Sequence, residues 1–250
     1  VDPDDIPRME IAHNEHGTTY LSTFSGAEAT LDPAQLPPDL SDYQAVHVIG
    51  LGSLERQLAF LQACRQRNAP FLSAGANLHG IETEPQTTQT ILDLADVYFL
   101  NEPEGIALFG SVEAAQAKPG KLVFLTLGAK GVQVVQGSVV THVPAVAVAA
   151  VDPTGAGDTF CGSTLAYLAK GYHPVEAARR AVPLAAETVG VVGPNALLAD
   201  MPAPAPLPSA KAAPAPAQIE RVARLVATLS EVTDSDFAGP DHPPVGHPAT

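Results

Sequence analysis

The residues best suited to chemistry lie in one short stretch, VDPTGAGDTFCG, at 151–162. Small residues stand directly before Asp158, at Gly155, Ala156 and Gly157. If a helix starts here, its first N–H groups lack intrahelical acceptors and its dipole favours a bound anion such as a phosphate. A carboxylate would repel that phosphate unless it faces the attacking hydroxyl and accepts its proton. The pattern therefore indicates phosphoryl transfer or an ordinary first-turn acid, which stabilises a helix by about 1 kcal/mol.

Strand-like and helix-like segments alternate through the first 200 residues and must position this stretch. Four apolar runs predict strands: QAVHVIG, APFLSAG, DVYFLN and KLVFLTLG. Segments that follow the first three of them predict helices: SLERQLAFLQACRQRN, TTQTILDLA and EPEGIALFG. Hairpins are expected in MEIAHNEHGTTYLSTF and in KGVQVVQGSVVTHVPA, the second turned at Gln136 and Gly137, and later helices at about 157–170 and 174–189. This alternation predicts an α/β fold with a mainly parallel sheet covered on both faces.

Charge and cysteine content exclude several classes of partner and site. The chain carries 27 acidic and 13 basic residues, a net charge of −14, so we expect no nucleic-acid partner. Cys64 and Cys161 are the only cysteines and have no CxxC or Cys/His cluster nearby, which argues against a disulfide framework or a structural zinc. No apolar run approaches the roughly 18 residues that span a bilayer, and no signal peptide opens the chain. We therefore expect no membrane association and a cytoplasmic location.

Two further stretches accompany the first in a recognisable order. FLNEPEGIALFG carries Asn101 and Glu104, and TLGAKGVQVVQG carries Thr126, Gly128 and Gly131. Together with DPTGAGDTFCG, they resemble the motifs of the ribokinase-like carbohydrate kinases, also called the PfkB family. The resemblance covers roughly residues 5–200 and implies a ribokinase-like three-layer sandwich, here partial. It also implies ATP-dependent transfer of a phosphoryl group to a hydroxyl of a sugar or related small alcohol.

The resemblance implies catalytic and metal-positioning roles for six positions. Asp158 would accept the proton of the substrate hydroxyl, and the backbone N–H groups at 155–157 would hold the charge that develops on the γ-phosphate. Asn101 and Glu104 would position Mg²⁺ and the phosphates, mainly through ordered water, because Mg²⁺ gives up its waters reluctantly. The ordinary alternative for this pair is an Asn that caps a helix, followed by a first-turn Glu.

The same resemblance implies a nucleotide site and raises the question of a monovalent cation. Thr126 and Gly128 would line the nucleotide site, and Gly131 would do so while also forming the turn before a strand. Asp152 and Thr154 match positions that in ribokinase help to bind a monovalent cation. The later loop reads VGVVGPNAL, without the Arg and Ser that ribokinase has there, which leaves activation by potassium open.

Other departures concern the substrate-binding part of the family. Family members begin with a strand and a Gly-Gly-x-x-x-Asn segment that grips the substrate, and this chain, which starts at Val1, has neither. Where many members have Asp-x-Asn-x-Arg, it reads GANLH, with Gly75 and His79 in the charged positions; the alternative for His79 is a surface residue at a strand end. We expect that this chain is a piece that lacks the N-terminal third of the family's domain. Its expected partner is a companion chain that carries this segment, or a second copy in a homodimer. Three functions follow: a sugar kinase, a nucleoside kinase, or a non-catalytic ribokinase-like binding module.

The composition changes after Asp200 and predicts the domain organisation. The kinase domain is expected at 1–200, and a Pro/Ala-rich linker at 201–217. The segment 218–250 would hold one short amphipathic helix, in IERVARLVATLSE, and a disordered tail. The helix is expected to dock on a neighbouring surface.

Overall fold

The computed structural model describes residues 3–14 and 17–192. The predicted linker at 201–217 and the predicted helix and tail at 218–250 lie outside the described residues. Within them, no helix is long enough and apolar enough to cross a membrane.

Six strands form the main sheet, in the same order along the sheet as along the chain. They are β3 (Val46–Val48), β4 (Leu72–Gly75), β5 (Val97–Asn101), β6 (Leu122–Thr126), β7 (Val132–Gln136) and β8 (Val139–Val143). Strands β3 to β6 are parallel, whereas β7 and β8 are antiparallel and turn at Gly137, whose φ of +62° suits glycine. The predicted mainly parallel sheet and its terminal hairpin are confirmed.

A separate antiparallel hairpin precedes the main sheet. It consists of β1 (Arg8–Asn14) and β2 (Gly17–Phe24), as the sequence predicted. Short 3-10 helices at Gly26–Thr30 and Pro33–Gln35 follow it. The side chain of Arg56 donates to the backbone oxygen of Glu28 at 3.2 Å and ties this connection to the main sheet's first helix.

Six helices cover the sheet on both faces. They are α1 (Leu54–Gln66), α2 (Leu78–Thr83), α3 (Pro85–Leu94), α4 (Glu102–Phe109), α5 (Ala156–Ala169) and α6 (Pro174–Val189). Helices α1 to α4 pack on one face and α5 with α6 on the other, which gives the expected three-layer α/β/α sandwich. The prediction missed α2, which contains His79: this side chain is exposed on a helix and not at a strand end.

The two cores are built from alternating residues of the central strands. In β5, Tyr98 and Leu100 belong to the core under α1 to α4, whereas Val97 and Phe99 belong to the core under α5 and α6. All four are buried because both faces of a parallel sheet are covered. Asn101, the last residue of β5, is exposed. The chain therefore changes from buried apolar to exposed polar at the carboxyl end of this strand.

Candidate active site

The start of α5 has free backbone donors. Gly155 precedes the helix with a φ of +82°, a conformation that L residues with side chains rarely adopt, and no side chain caps the helix. The N–H of Ala156 donates to the oxygen of Pro153 at 3.2 Å, so one predicted donor is used in a turn. Within 3–14 and 17–192, the N–H groups of Gly157 and Asp158 have no acceptor. This end of α5 can therefore accept an anion.

Asp158 lies in the first turn of α5, and its side chain is exposed. Two residues later, the buried ring of Phe160 contacts Phe99 on β5 and Phe124 on β6, with centroid distances of 6.3 and 6.0 Å. Each of these two rings lies two residues before the carboxyl end of its strand. Aromatic packing thus fixes the first turn of α5 beside the carboxyl edge of the sheet.

The ends of β5 and β6 bring two predicted site residues side by side. Asn101 and Thr126 are direct partners in the parallel register of these strands. The Thr126 hydroxyl donates to the oxygen of Leu100 at 3.2 Å, which keeps its side chain at this edge. Two motifs that are separated along the chain are thus adjacent at one edge of the sheet.

Asn101 and Glu104 form a reciprocal cap at the start of α4. The N–H of Glu104 donates to Asn101 Oδ1 at 3.0 Å, and the N–H of Asn101 donates to Glu104 Oε2 at 2.8 Å. The ordinary capping alternative is therefore present, and it leaves Glu104 Oε1 available for a ligand. Burial raises the pKa of the Glu104 carboxyl, and its hydrogen bonds with Asn101 oppose that rise.

The two glycines of the predicted nucleotide loop meet different demands. Gly131 has a φ of +104°, and a Cβ there would lie 2.1 Å from the oxygen of Val143, so close packing requires glycine. Gly128 has a φ of +57°, and a Cβ there would meet no atom within 4 Å. Gly128 therefore borders open space that a ligand can enter, whereas Gly131 holds the loop against the following hairpin.

Sequence reasoning missed Lys130, which lies between these two glycines. Its ammonium forms an ion pair with Glu102 Oε1 at 2.8 Å and links the loop to the first turn of α4. The lysine side chain is 69% exposed, so its charge is also accessible to a ligand at this edge. A basic residue inside a glycine loop was the signal that would have found it.

Asp152 and Thr154 shape the loop before α5. Asp152 Oδ1 accepts from the N–H of Thr154 at 2.9 Å. The N–H groups of Val151 and Asp152 both donate to the oxygen of Val189, at 2.9 and 3.1 Å, and fasten the loop to the end of α6. The segment VGVVGPNAL, which bears on the monovalent cation, lies only partly within the described residues.

A buried polar cluster under α5 was also missed. His47 Nδ1 lies 2.7 Å from Ser73 Oγ on the neighbouring strand, and His47 Nε2 lies 3.6 Å from Cys161 Sγ. Burial lowers the pKa of His47, and the negative charge of Asp158 opposes this. Burial and the same charge raise the pKa of the Cys161 thiol to about 12, so this cysteine is no ready nucleophile. The part of the chain that the structure describes holds no group of three metal-ligating side chains.

Comparison with known families and proteins identifies relatives of the chain. The model of the pfkB family carbohydrate kinases matches residues 3–201. A fructokinase of Klebsiella pneumoniae is 33% identical over 204 residues, which cover 74% of this chain and 65% of the fructokinase. A cytidine kinase of Thermococcus kodakarensis is 25% identical over 177 residues, which cover 67% of this chain and 63% of that kinase. The chain thus spans less than two thirds of either relative.

Solved structures share the fold. Adenosine kinase from Sinorhizobium meliloti superposes with a TM-score of 0.64 at 20% identity and covers 75% of this chain and 62% of its own. The nucleoside kinase of Burkholderia thailandensis, solved with inosine, gives 0.63 at 19% identity over 88% of this chain and 68% of its own. Ribokinase from Thermotoga maritima gives 0.59 at 22% identity, covering 87% of this chain and 69% of its own. At these identities the likeness establishes the ribokinase-like fold.

Proposed function

The chain belongs to the pfkB family of carbohydrate kinases, and we propose on that premise that its protein transfers a phosphoryl group from ATP to a hydroxyl of a sugar or related small alcohol. One observation carries the proposal. An exposed carboxylate, Asp158, lies in the same helical turn as the free N–H groups of Gly157 and Asp158, beside the edge where β5 and β6 end. A helix start with a purely structural role does not require an exposed carboxylate beside free N–H groups at a sheet edge.

Asp158 is the proposed general base. Its exposed side chain can reach a substrate hydroxyl and accept the proton as the oxygen attacks the phosphorus. The free N–H groups of Gly157 and Asp158, together with the positive end of the α5 dipole, would stabilise charge on the transferring phosphoryl group. A positioned base of this kind contributes on the order of 10² to 10⁴-fold in rate.

The edge residues fit a nucleotide with its metal ion. Gly128 borders open space, Lys130 offers an accessible positive charge, and Glu104 keeps one carboxylate oxygen free. We propose that Thr126, Gly128 and Gly131 line the nucleotide site, and that Asn101 and Glu104 hold Mg²⁺ through water. When Mg²⁺ is bound, it neutralises charge on the phosphates.

The remaining assignments complete the proposal. We propose that Asp152 and Thr154 shape the rim of the anion site. Whether a monovalent cation also binds beside them is left open. The kinase domain would extend to about residue 200, with the linker at 201–217 and the tail at 218–250 outside it. We further propose a cytoplasmic enzyme, active as a homodimer or with a companion chain that carries the substrate-gripping segment.

A nucleoside kinase is the second candidate. The observation that favours it is the relative in Thermococcus kodakarensis, a cytidine kinase that is 25% identical over 67% of this chain. Both reactions use the same phosphoryl-transfer groups, so Asp158 and the motif residues would have the same roles in either. Substrate choice separates the two, and it depends on groups that face the acceptor.

The test measures phosphoryl transfer by the complete protein, with fructose, ribose, adenosine and cytidine as acceptors and ATP with Mg²⁺ as donor. Asp158→Asn is compared with Glu55→Gln, which also neutralises an exposed acid in the first turn of a helix, α1. We expect Asp158→Asn to lower kcat at least about 100-fold, because it removes the base, while the Kd for ATP changes little. Glu55→Gln should leave both quantities unchanged.

The outcomes separate the hypotheses. Transfer to fructose or ribose supports the sugar kinase, and transfer confined to adenosine or cytidine supports the nucleoside kinase. Wild-type turnover by Asp158→Asn would exclude Asp158 as the base. A protein that binds ATP and transfers to no hydroxyl would contradict the kinase proposal and favour a non-catalytic binding module.

A further inference from the structure

His47 lies where two strands of the main sheet meet a helix. It belongs to β3, and its ring contacts Ser73 on β4 and Cys161 on α5. The ring Nδ1 lies 2.7 Å from Ser73 Oγ, and the ring Nε2 lies 3.6 Å from Cys161 Sγ. Both partners are buried. Hydrogen bonds depend on direction and apolar packing does not, so this link can hold α5 in one orientation.

The direction of the two hydrogen bonds follows from the state of the thiol. Burial and the charge of Asp158 raise the pKa of Cys161 to about 12, so at neutral pH the thiol is protonated and donates its S–H. The Nε2 of a neutral His47 ring is then the acceptor, and Nδ1 carries the proton and donates to the Ser73 oxygen. Burial lowers the pKa of His47, which favours this neutral ring. The bonds thus run from α5 through β3 to β4.

Asp158 depends on this link for its direction. Asp158 and Cys161 are three residues apart on α5, so they lie on the same face in adjacent turns. At about 3.6 residues per turn, Asp158 lies about 60° around the helix axis from Cys161 and about 160° from Phe160, the apolar anchor of this helix. The Asp158 side chain is exposed, so packing of its own does not hold it. Rotation of α5 about its axis therefore decides where the carboxylate points, and Cys161 is the nearer of the two anchors.

We propose that His47 is a positioning residue for Asp158: its neutral ring accepts the Cys161 S–H and thereby sets the direction of the carboxylate at the carboxyl edge of the sheet. The consequence for catalysis rests on the proposed function, in which Asp158 is the base. His47 acts through Cys161 and not on the reacting groups. A base displaced by about 1 Å can lose on the order of 100-fold in rate, so even a small rotation of α5 would matter.

Protonation of His47 would undo this arrangement. An imidazolium has an N–H on both nitrogens, so it cannot accept the Cys161 S–H, and its positive charge would attract the Asp158 carboxylate toward the ring. The polar and titratable groups around the ring include Ser73 on β4, Cys161 and Asp158 on α5, and Asp42 and Tyr43 ahead of β3. Phe99 on β5 contributes an apolar ring, with its centroid 6.0 Å away. Kinase activity should therefore need the neutral ring and fall as the pH drops through the pKa of His47, which burial places below the ordinary 6.5.

The two cysteines of the chain allow a matched test. Each is buried, one in each core: Cys161→Ala removes the thiol that contacts His47, and Cys64→Ala removes one from the core under α1 to α4. In the complete protein, with ATP, Mg²⁺ and the acceptor that the wild type uses, we expect Cys161→Ala and His47→Phe to lower kcat about tenfold while the Kd for ATP changes little. Cys64→Ala should leave kcat unchanged. His47→Gln, which keeps an acceptor near the position of Nε2, should recover most of the loss.

The pH dependence separates positioning from a purely structural role. The ratio of kcat between wild type and His47→Gln should fall as the pH drops below 6.5, because only the wild type has the His47 ring to protonate. Protons that bind ATP affect both proteins alike and cancel in the ratio. A ratio that stays constant would overturn the need for a neutral ring.

NMR titration gives a readout that does not depend on activity. The pKa of His47 is measured with and without Asp158→Asn, in the wild-type background, in Cys161→Ala and in Cys64→Ala. The charge of Asp158 raises the pKa of His47 against the effect of burial. We expect this influence to shrink at least about twofold in Cys161→Ala, because a carboxylate that is no longer held turns toward solvent, where water screens it. In Cys64→Ala it should keep its wild-type size.

Two results would overturn the proposal: wild-type kcat in both Cys161→Ala and His47→Phe, or an influence of Asp158 on the pKa of His47 that Cys161→Ala leaves unchanged. An equal loss of kcat in Cys64→Ala would also overturn it, because the effect would then be one of core packing. If the wild type transfers no phosphoryl group, the proposed function fails, and the NMR titration still decides whether Cys161 and His47 direct Asp158.

Discussion

Asn101 and Glu104 exchange two hydrogen bonds, each donating its backbone N–H to the other's side chain, at 2.8 and 3.0 Å. The pair closes the start of α4 at the point where β5 delivers the chain to the sheet edge. One carboxylate oxygen thus stabilises the helix, and the other is available for the proposed metal and phosphate site. Stability and function can therefore be separated at one residue.

Glu104→Gln should separate these two roles. Glutamine preserves the cap because its side-chain oxygen can accept the Asn101 N–H, so the free energy of unfolding should change by less than about 0.5 kcal/mol. Glu104→Ala loses the cap and should cost about 1 kcal/mol. Both variants should weaken the magnesium dependence of ATP binding. Urea unfolding and calorimetric titration measure the two effects, and Mg²⁺-dependent ATP binding that survives in both variants would remove Glu104 from the site.

The same residue should give a pH-dependent contribution to stability. Burial raises the pKa of the Glu104 carboxyl in the folded protein above its ordinary value of 4.5. The protonated carboxyl therefore contributes to the free energy of unfolding fully below pH 4.5, and this contribution is lost as the pH rises through the raised pKa. The stability difference between wild type and Glu104→Gln should therefore shift against the wild type as the pH rises from 4 to 7. A constant difference over this interval would contradict the burial of a carboxylate here.

Gly131 and Gly128 should respond oppositely to alanine. Gly131→Ala forces a Cβ against the oxygen of Val143 at a φ reserved for glycine, and should cost about 3 kcal/mol or more of stability. Gly128→Ala adds a Cβ in open space at a left-handed φ and should cost only about 1 to 2 kcal/mol. Its larger effect should be on ATP affinity. Equal stability losses, or unchanged ATP affinity in Gly128→Ala, would show that both glycines serve the turn alone.

Asp96 should be a stability residue remote from the proposed site. Its carboxylate accepts the N–H of Leu72 at 2.9 Å and pairs with Arg65 at 2.7 Å and Lys121 at 3.4 Å. Asp96→Ala leaves the Leu72 N–H without its acceptor and removes the negative charge that pairs with Arg65 and Lys121, and it should cost about 3 kcal/mol. Asp93→Ala breaks the exposed pair with Lys118 and should cost less than about 1 kcal/mol. Similar unfolding midpoints for the two variants would contradict the distinction between partly buried and exposed pairs.

Acid should destabilise the fold through two histidines. Burial lowers the pKa of both His47 and His173 below the ordinary 6.5, so the unfolded chain binds more protons than the folded one near that value. Stability contributed by the neutral rings is present above pH 6.5 and falls as the pH drops below it. His47→Gln should reduce this loss of stability at low pH.

Asp158→Asn should lower the pKa of His47 further, because it removes a nearby negative charge. NMR titration of the His47 ring can measure this change in pKa.

The alternation of segments was enough to predict the fold and most of its elements. Apolar runs such as DVYFLN and KLVFLTLG became buried central strands, because a strand covered on both faces needs continuous apolar residues. Helix α6 has the predicted bounds, and α5 starts one residue earlier than predicted, at Ala156. Helix α2 escaped prediction because its six residues show too little periodicity to be distinguished from a loop.

The sequence by itself determined the candidate groups: an acid after small residues, an Asn and a Glu three apart, and a glycine loop. Tertiary structure alone decided which of them meet. Asn101 is placed beside Thr126 by the parallel register, and Phe160 fixes the start of α5 against the same strands. His47 and Cys161 are 114 positions apart and touch only because β3 lies under α5. Local patterns record helix starts and strand runs, whereas strand order and helix docking depend on burying apolar surface across the whole domain.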